Sequence, residues 1–160
     1  MSPAADEAVA RLWREGYALP TPTETHYDYL PAVLSGKAVA VAGQIPKLSV
    51  DTLLAYGVLG VDVDGELAKK ATRLCVLHAL SWVHCLSGGL DATVAQVLRV
   101  NYYFQVASKP YGEMSTIADA GSQLLAIALG KRGRHARSVI GVKELPRNSP
   151  VLIDMDVALI

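Results

Sequence analysis

The chain has 160 residues, 51% of them hydrophobic and 19% charged, with 15 basic and 15 acidic side chains. This size and composition fit one folded domain with a sizeable core and exclude a disordered segment. A formal net charge of zero removes any general electrostatic pull toward nucleic acid or an anionic membrane, and no apolar run is long enough to span a bilayer.

Cys75 and Cys85 are the only cysteines. On one helix they would lie roughly 15 Å apart along the axis, too far to pair. Two unpaired thiols and no signal-like apolar segment fit a reducing, cytoplasmic setting.

The spacing predicts a leading helix over Pro3–Arg14, capped by Ser2, with Ala5, Val9, Leu12 and Trp13 on one face. Gly16 stops it. Residues 17–29, rich in Pro, Thr and Tyr, form an extended lead-in. Tyr29–Leu34 reads as a strand, Ser35-Gly36-Lys37 as a hairpin turn and Ala38–Ala42 as a second strand. Gly43-Gln44-Ile45-Pro46 breaks the ladder, as a bulge, a turn or a place where backbone approaches a ligand. Residues 47–63, irregular and carrying the apolar patch Leu53-Leu54-Ala55-Tyr56, read as a loop with a short helical turn.

Gly65–Leu86 carries the longest helical period, with Glu66, Lys69, Lys70 and Arg73 opposite Leu67, Ala71, Leu74, Leu77, Val83 and Leu86. Asp91–Ala107, after a first turn, is β-branched and aromatic enough for a strand. Met114–Leu129 is a second amphipathic helix closed by Gly130, with Ile117, Ala120, Leu124 and Ile127 facing inward. A strand over Ser138–Val142, a turn over Pro146–Pro150 and a last strand over Val151–Ile160 follow. The order predicts an α+β fold, a mixed sheet with two main helices on one face. Ala38–Ala42, Val139–Val142 and Val157–Ile160 are apolar at successive positions. Both faces of the sheet therefore want burial, and the uncovered one calls for further copies of the chain.

Cys75, His78, His84 and Cys85 invite a metal reading. The last two lie about two turns further along the helix, and no second short-spaced ligand pair completes a site, so no metal is expected. There is no Gly-x-Ser-x-Gly, phosphate loop or dinucleotide fingerprint. Asp154 and Asp156 alternate on one side of the last strand, where solvation is their default. The basic cluster Arg134, His135 and Arg137 leads into the Ser138 strand. It is a turn by default; at the mouth of a strand, though, Arg137 would have a fixed direction and a planar fork matched to a carboxylate.

Two stretches carry a family resemblance. Tyr29-x6-Gly36, followed by Val-Ala-Val-Ala-Gly43-Gln-Ile-Pro46, resembles the opening hairpin of the RidA/YjgF family. These are the reactive-intermediate deaminases, earlier labelled endoribonuclease L-PSP. Gly133-Arg-His-Ala-Arg137-Ser-Val-Ile-Gly-Val-x-x-Leu-Pro146 is similar to that family's closing signature. The likeness covers roughly residues 17–160, and the leading helix (within residues 1–16) and longer middle loop resemble the extended, chorismate-mutase-like branch.

The resemblance implies one domain over residues 1–160, a homotrimer with clefts between subunits, and no cofactor. It implies that Arg137 binds the carboxylate of a small 2-imino or enamine acid and takes part in its hydrolysis to a 2-oxo acid and ammonia. Tyr29 would line the cleft from the other subunit, and the backbone of Gly43 and Val139 would contact the ligand or the attacking water. Some positions depart from the pattern. Leu152 stands, on ungapped alignment, where deaminating members carry a glutamate, and Asp154 would take that place only after a two-residue slide. Ala42 replaces a common Ser or Thr, His78 a frequent asparagine, and Asp119 sits near another. The alternative is therefore a non-deaminating member that binds a small acidic metabolite or acts on an imine-like intermediate in a biosynthetic pathway. RNA cleavage is suggested only by the older family label and the short basic run over residues 131–137, and no basic groove with interleaved aromatics is present.

Overall fold

Alternation of buried and open positions along its strands organises this protein, whose computed structural model describes residues 6–160. In chain order the elements are α1 (Glu7–Arg14), β1 (Ala32–Ser35), β2 (Ala38–Gln44), α2 (Gly65–Ser87), β3 (Val94–Gln105), α3 (Met114–Leu129), β4 (Ala136–Val142) and β5 (Val151–Leu159). The expected order of elements is the one observed. The sheet runs β1-β2-β5-β3-β4. Neighbouring strands are antiparallel except β3 and β4, which are parallel and joined through α3.

Val151, Ile153, Met155 and Val157 of β5 are buried, as are Val97, Val100, Tyr102 and Phe104 of β3. They meet α2 and α3, which pack on one face and on each other. The alternate positions form the other face, where Tyr103 lies between Ile140 and Leu152, and Asn101 pairs with Asp154. Val33, Leu98 and Ile140 are exposed. Buried residues from α1 to β5 make one contiguous cluster.

Several local expectations are corrected. The Ser2 cap lies outside the described residues. Asp6 caps α1 instead, its Oδ1 accepting the amides of Ala8 and Val9 while Oδ2 accepts that of Leu90. Ala8 and Leu12, one turn apart, are the buried stripe of α1, and Trp13 is 69% exposed. The first strand begins only at Ala32, because Pro31 has no amide to donate and residues 26–29 bend; Tyr29 is thus in the loop ahead of it. β2 continues through Gly43 to Gln44, with a register shift between Val41 and Gln44. Residues 47–63 form a loop with one short turn, where the Val58 carbonyl accepts the amides of Val61 and Asp62. Single bridges (Lys47–Leu53, Leu59–Val63, Leu59–Val106) and the buried side chains of Leu53, Ala55, Leu59 and Val63 hold them.

Two devices fix the β4 edge. Arg11 and Arg132 each place Nη2 at 2.8 Å from Asp91 Oδ1, tying α1 and the end of α3 to the start of β3. The Arg11 guanidinium, before other causes, holds the Asp91 carboxyl below its ordinary value. Gly133 lies so close to the end of α3 that a Cβ there would sit 2.1 Å from the Leu125 carbonyl oxygen. The obstacle is backbone and cannot rotate away. Gly133→Ala is therefore expected to lose about 2–3 kcal/mol or more, read as a lower urea midpoint with unchanged m-value, whereas an alanine at exposed Gly112, where nothing lies within 4 Å, is expected to leave the midpoint within about 0.5 kcal/mol.

Candidate functional site

β4 is an edge strand, and its register with β3 sets where Arg137 goes. Arg137 pairs with Val100 and Val139 with Tyr102. Both side chains are therefore on the helix-covered face, and Arg137 reaches α3. Its Nη1 is 2.8 Å from Asp119 Oδ1 and donates to Ser122 Oγ at 3.2 Å, while Nη2 donates to the Ser115 carbonyl at 3.3 Å. Residues 115, 119 and 122 recur at helical spacing, so one stripe of α3 holds the guanidinium.

Behind it, Ser122 Oγ is 3.0 Å from His135 Nε2 and 3.2 Å from the Tyr102 hydroxyl. His135 Nδ1 lies 2.7 Å from the Gly133 carbonyl. Only a donor satisfies that oxygen, so Nδ1 carries the hydrogen and Nε2 accepts from Ser122. Burial lowers the His135 pKa and pushes the Tyr102 phenol up to about 12. The Arg137 side chain is 27% exposed and opens on a cleft of about 430 Å3 with Asp119, Ala126 and Arg134.

Tyr29, Gly43 and Leu152 meet elsewhere. They line a cavity of about 560 Å3 together with Thr23, Thr25, Lys47, Val50 and Arg147. Gly43 sits in the β2 bulge, and a Cβ on it would lie 2.8 Å from Leu152 Cδ2, so the leucine isobutyl group rests on bare backbone. In β5, Leu152 lies opposite Tyr103 and Asp154 opposite Asn101, and Leu152 is the residue packed on Gly43. Asp154 accepts from Asn101 Nδ2 at 2.7 Å on the open face, and burial raises its carboxyl pKa.

Three strand steps, roughly 14 Å, separate β4 from β2 in the sheet order. One chain thus brings Tyr29, Gly43 and Leu152 together, and Arg137, Val139 and Asp119 together, on different strands. Asp119, which departs from the asparagine frequent near its position, is the ion-pair partner of Arg137. Ser122 was missed, though its position three residues after Asp119 was the available signal. Lys47 and Arg147 were missed because loop residues carry no period.

The Cys and His residues of α2 take separate places. Cys75 is fully buried, which raises its pKa, while Cys85 is exposed. His78 Nε2 contacts the Lys47 carbonyl at 2.8 Å. Among the described residues no three His, Cys, Asp or Glu side chains gather as a metal site, and no helix is long and apolar enough to cross a membrane.

A mixed five-stranded sheet in the order β1-β2-β5-β3-β4, with its helices on one face, defines an α+β domain of chorismate-mutase-like fold. Residues 9–159 match the family described as "YjgF/chorismate_mutase-like, putative endoribonuclease", and the chain belongs to that family. It is 32% identical over 157 residues to Protein TCP17 of Trypanosoma cruzi, covering 98% of this chain and 96% of that protein. The solved structure of Atu1372 from Agrobacterium tumefaciens, a protein of unknown function, superposes with a TM-score of 0.87 at 30% identity, over 98% of this chain and 95% of that one. A structure from Shewanella oneidensis, described as a putative endoribonuclease, does so with a TM-score of 0.87 at 28% identity, over 95% and 99%.

Burial, the largest cause, lowers the His78 pKa from its usual 6.5. The unfolded chain therefore takes up this proton at a higher pH than the folded one, and folding loses stability as pH falls below about 6.5. Urea midpoints are expected to fall from pH 7.5 to pH 5.5, with a shallower slope in His78→Asn; an unchanged slope would remove His78 as the cause.

Proposed function

We propose that this protein hydrolyses a small 2-imino or enamine carboxylate to the 2-oxo acid and ammonia, in a cleft assembled between copies of the chain. The observation that carries this is the Arg137 guanidinium, partly exposed at a sheet edge and already holding one carboxylate, that of Asp119, at 2.8 Å. A guanidinium has five N–H donors, and the protein contacts to Asp119, Ser122 and Ser115 leave some for a second carboxylate.

An intersubunit site fits the geometry of one chain, in which Arg137 and the Tyr29–Gly43 wall lie on different strands. It also fits the open sheet face, which exposes Val33, Leu98 and Ile140 and would be covered in a closed homotrimer. In this reading Arg137 and Val139 come from one copy, Tyr29, Gly43 and Leu152 from the next.

The chemistry asks little of the protein. The oxygen of a water adds to C2 of the imine and its proton passes to the nitrogen. The carbon–nitrogen bond then breaks, ammonia leaves and C2 becomes a carbonyl. Holding the carboxylate at Arg137 fixes C2 against the incoming water, which is a positioning effect, and no resident cofactor enters these steps.

Leu152 favours a second reading. Its apolar side chain covers Gly43, where a carboxylate would be needed to hold or deprotonate water. A chain with that wall would bind the acid, or act on a related intermediate, without deaminating it.

A coupled assay with freshly generated 2-aminoacrylate separates the readings. Deamination is expected to be accelerated, and Arg137→Ala to lose about 30- to 100-fold in kcat/KM, the worth of roughly 2–3 kcal/mol of charge-assisted hydrogen bonds. Binding that depends on Arg137 with no turnover, and turnover gained by Leu152→Glu, would establish the second reading.

Light scattering on the eluting protein is expected to give a trimer mass. Ile140→Glu, a charge on the open face, is expected to lower it; a monomer mass for the unaltered chain would leave the two half-sites apart.

A further inference from the structure

The cavity beside Gly43 has two cations that the reading above does not use. Lys47 and Arg147 both line it, and Glu24, an exposed residue, is the one acid among the lining side chains. Neither cation forms an ion pair among the described residues.

Both are held in place from behind. His78, 4% exposed, donates from Nε2 to the Lys47 carbonyl at 2.8 Å, so the long helix α2 fixes the backbone from which Lys47 projects. Arg147 has φ 58 and Asn148 φ 56, two successive left-handed residues without a glycine. Such a backbone is costly and persists only where its surroundings impose it. The buried Gln105 does so. Its Oε1 accepts the Leu145 amide at 2.9 Å and its Nε2 donates to Asn148 Oδ1 at 2.7 Å. The Asn148 carbonyl in turn accepts the Gly57 amide at 2.7 Å. Arg147 Nη1 then donates to the Val50 carbonyl at 3.0 Å, which places the guanidinium at the cavity wall that Val50 also forms.

Size points the same way. A cavity of about 560 Å3 is of the order that holds a medium-sized ligand, and an imino acid of three carbons would leave most of it unfilled. The hydroxyls of Thr23, Thr25 and Tyr29 add neutral donors.

We propose that this cavity takes the distal acidic group of a dicarboxylate, gripped by Lys47 and Arg147. Arg137 of a neighbouring copy holds the first carboxylate. The inference rests on the intersubunit reading of Arg137 and adds the substrate class, a 2-imino or 2-oxo acid with a second carboxylate at the far end of its chain.

Calorimetric titration of the full-length protein with 2-oxoglutarate and 2-oxovalerate tests it, since these five-carbon 2-oxo acids differ at the distal end, a carboxylate against a methyl. The dicarboxylate is expected to bind at least about tenfold more tightly, the factor corresponding to 1.4 kcal/mol. Lys47→Gln and Arg147→Gln are each expected to collapse that ratio toward one, and Arg137→Ala to weaken both acids. A ratio near one in the unaltered protein, or a ratio that survives both substitutions, overturns the inference while Arg137-dependent binding keeps the function reading intact. A ratio that depends on Lys47 and Arg147 with no effect of Arg137→Ala supports the distal site and removes the role of Arg137. Binding of neither acid by protein of native stability overturns both.

Discussion

A sheet with helices on one side only is the constraint from which the rest follows. α2 and α3 cover the face made by Tyr102, Phe104, Ile153 and Met155. Among the described residues no third long helix lies over the other. That face keeps Ile140 and Val33 exposed beside polar Asn101 and Asp154. It is too apolar for water and too polar for a core, the balance expected where copies of one chain meet.

The same asymmetry decides where chemistry can happen. On a parallel edge strand, Arg137 shares the covered face with Val139, and its side chain lies against Ser115, Asp119 and Ser122 of α3. Gly133 permits this by letting the chain pass against the Leu125 carbonyl without a Cβ. Gly43 performs the matching task at the other end of the sheet, where a bulge and a missing side chain let Leu152 lie on the backbone. The two places lie apart in one chain: Arg137 against α3, and the Gly43 wall with Leu152 across the sheet.

Much of the fold was legible in the sequence because its signals are periodic. α3 runs over Met114–Leu129 as the spacing of Ile117, Ala120 and Leu124 predicts, and α2 extends one residue beyond its expected end to Ser87. Elements fixed by a single contact were less legible. Asp6 caps α1 and also accepts the Leu90 amide, a partner 84 positions away that no local pattern indicates. Residues 47–63 are shaped by burial of Leu53, Leu59 and Val63, which no local pattern announces. The candidate site divides in the same way. Arg137, Tyr29 and Gly43 stand in recognisable motifs, but the partner of Arg137 on α3 and the cations beside Gly43 depend on which loops the fold brings together.

The pair between Arg137 and Asp119 bears on what this family member can select. An unpaired guanidinium would attract any small anion. One already neutralised by a carboxylate at 2.8 Å offers less net charge, so a ligand must compete through geometry and through contacts elsewhere. Such contacts are most effective when they are charged, pre-positioned and distant from the reacting carbon, because they then add binding without disturbing the chemistry. Lys47, whose backbone carbonyl is held by His78, and Arg147, whose backbone is held through Gln105 and Asn148, are two such charges on the cavity beside Gly43. On the proposal made above, they would select among acids by the charge at the far end of the chain, which a guanidinium shared with Asp119 would not do alone.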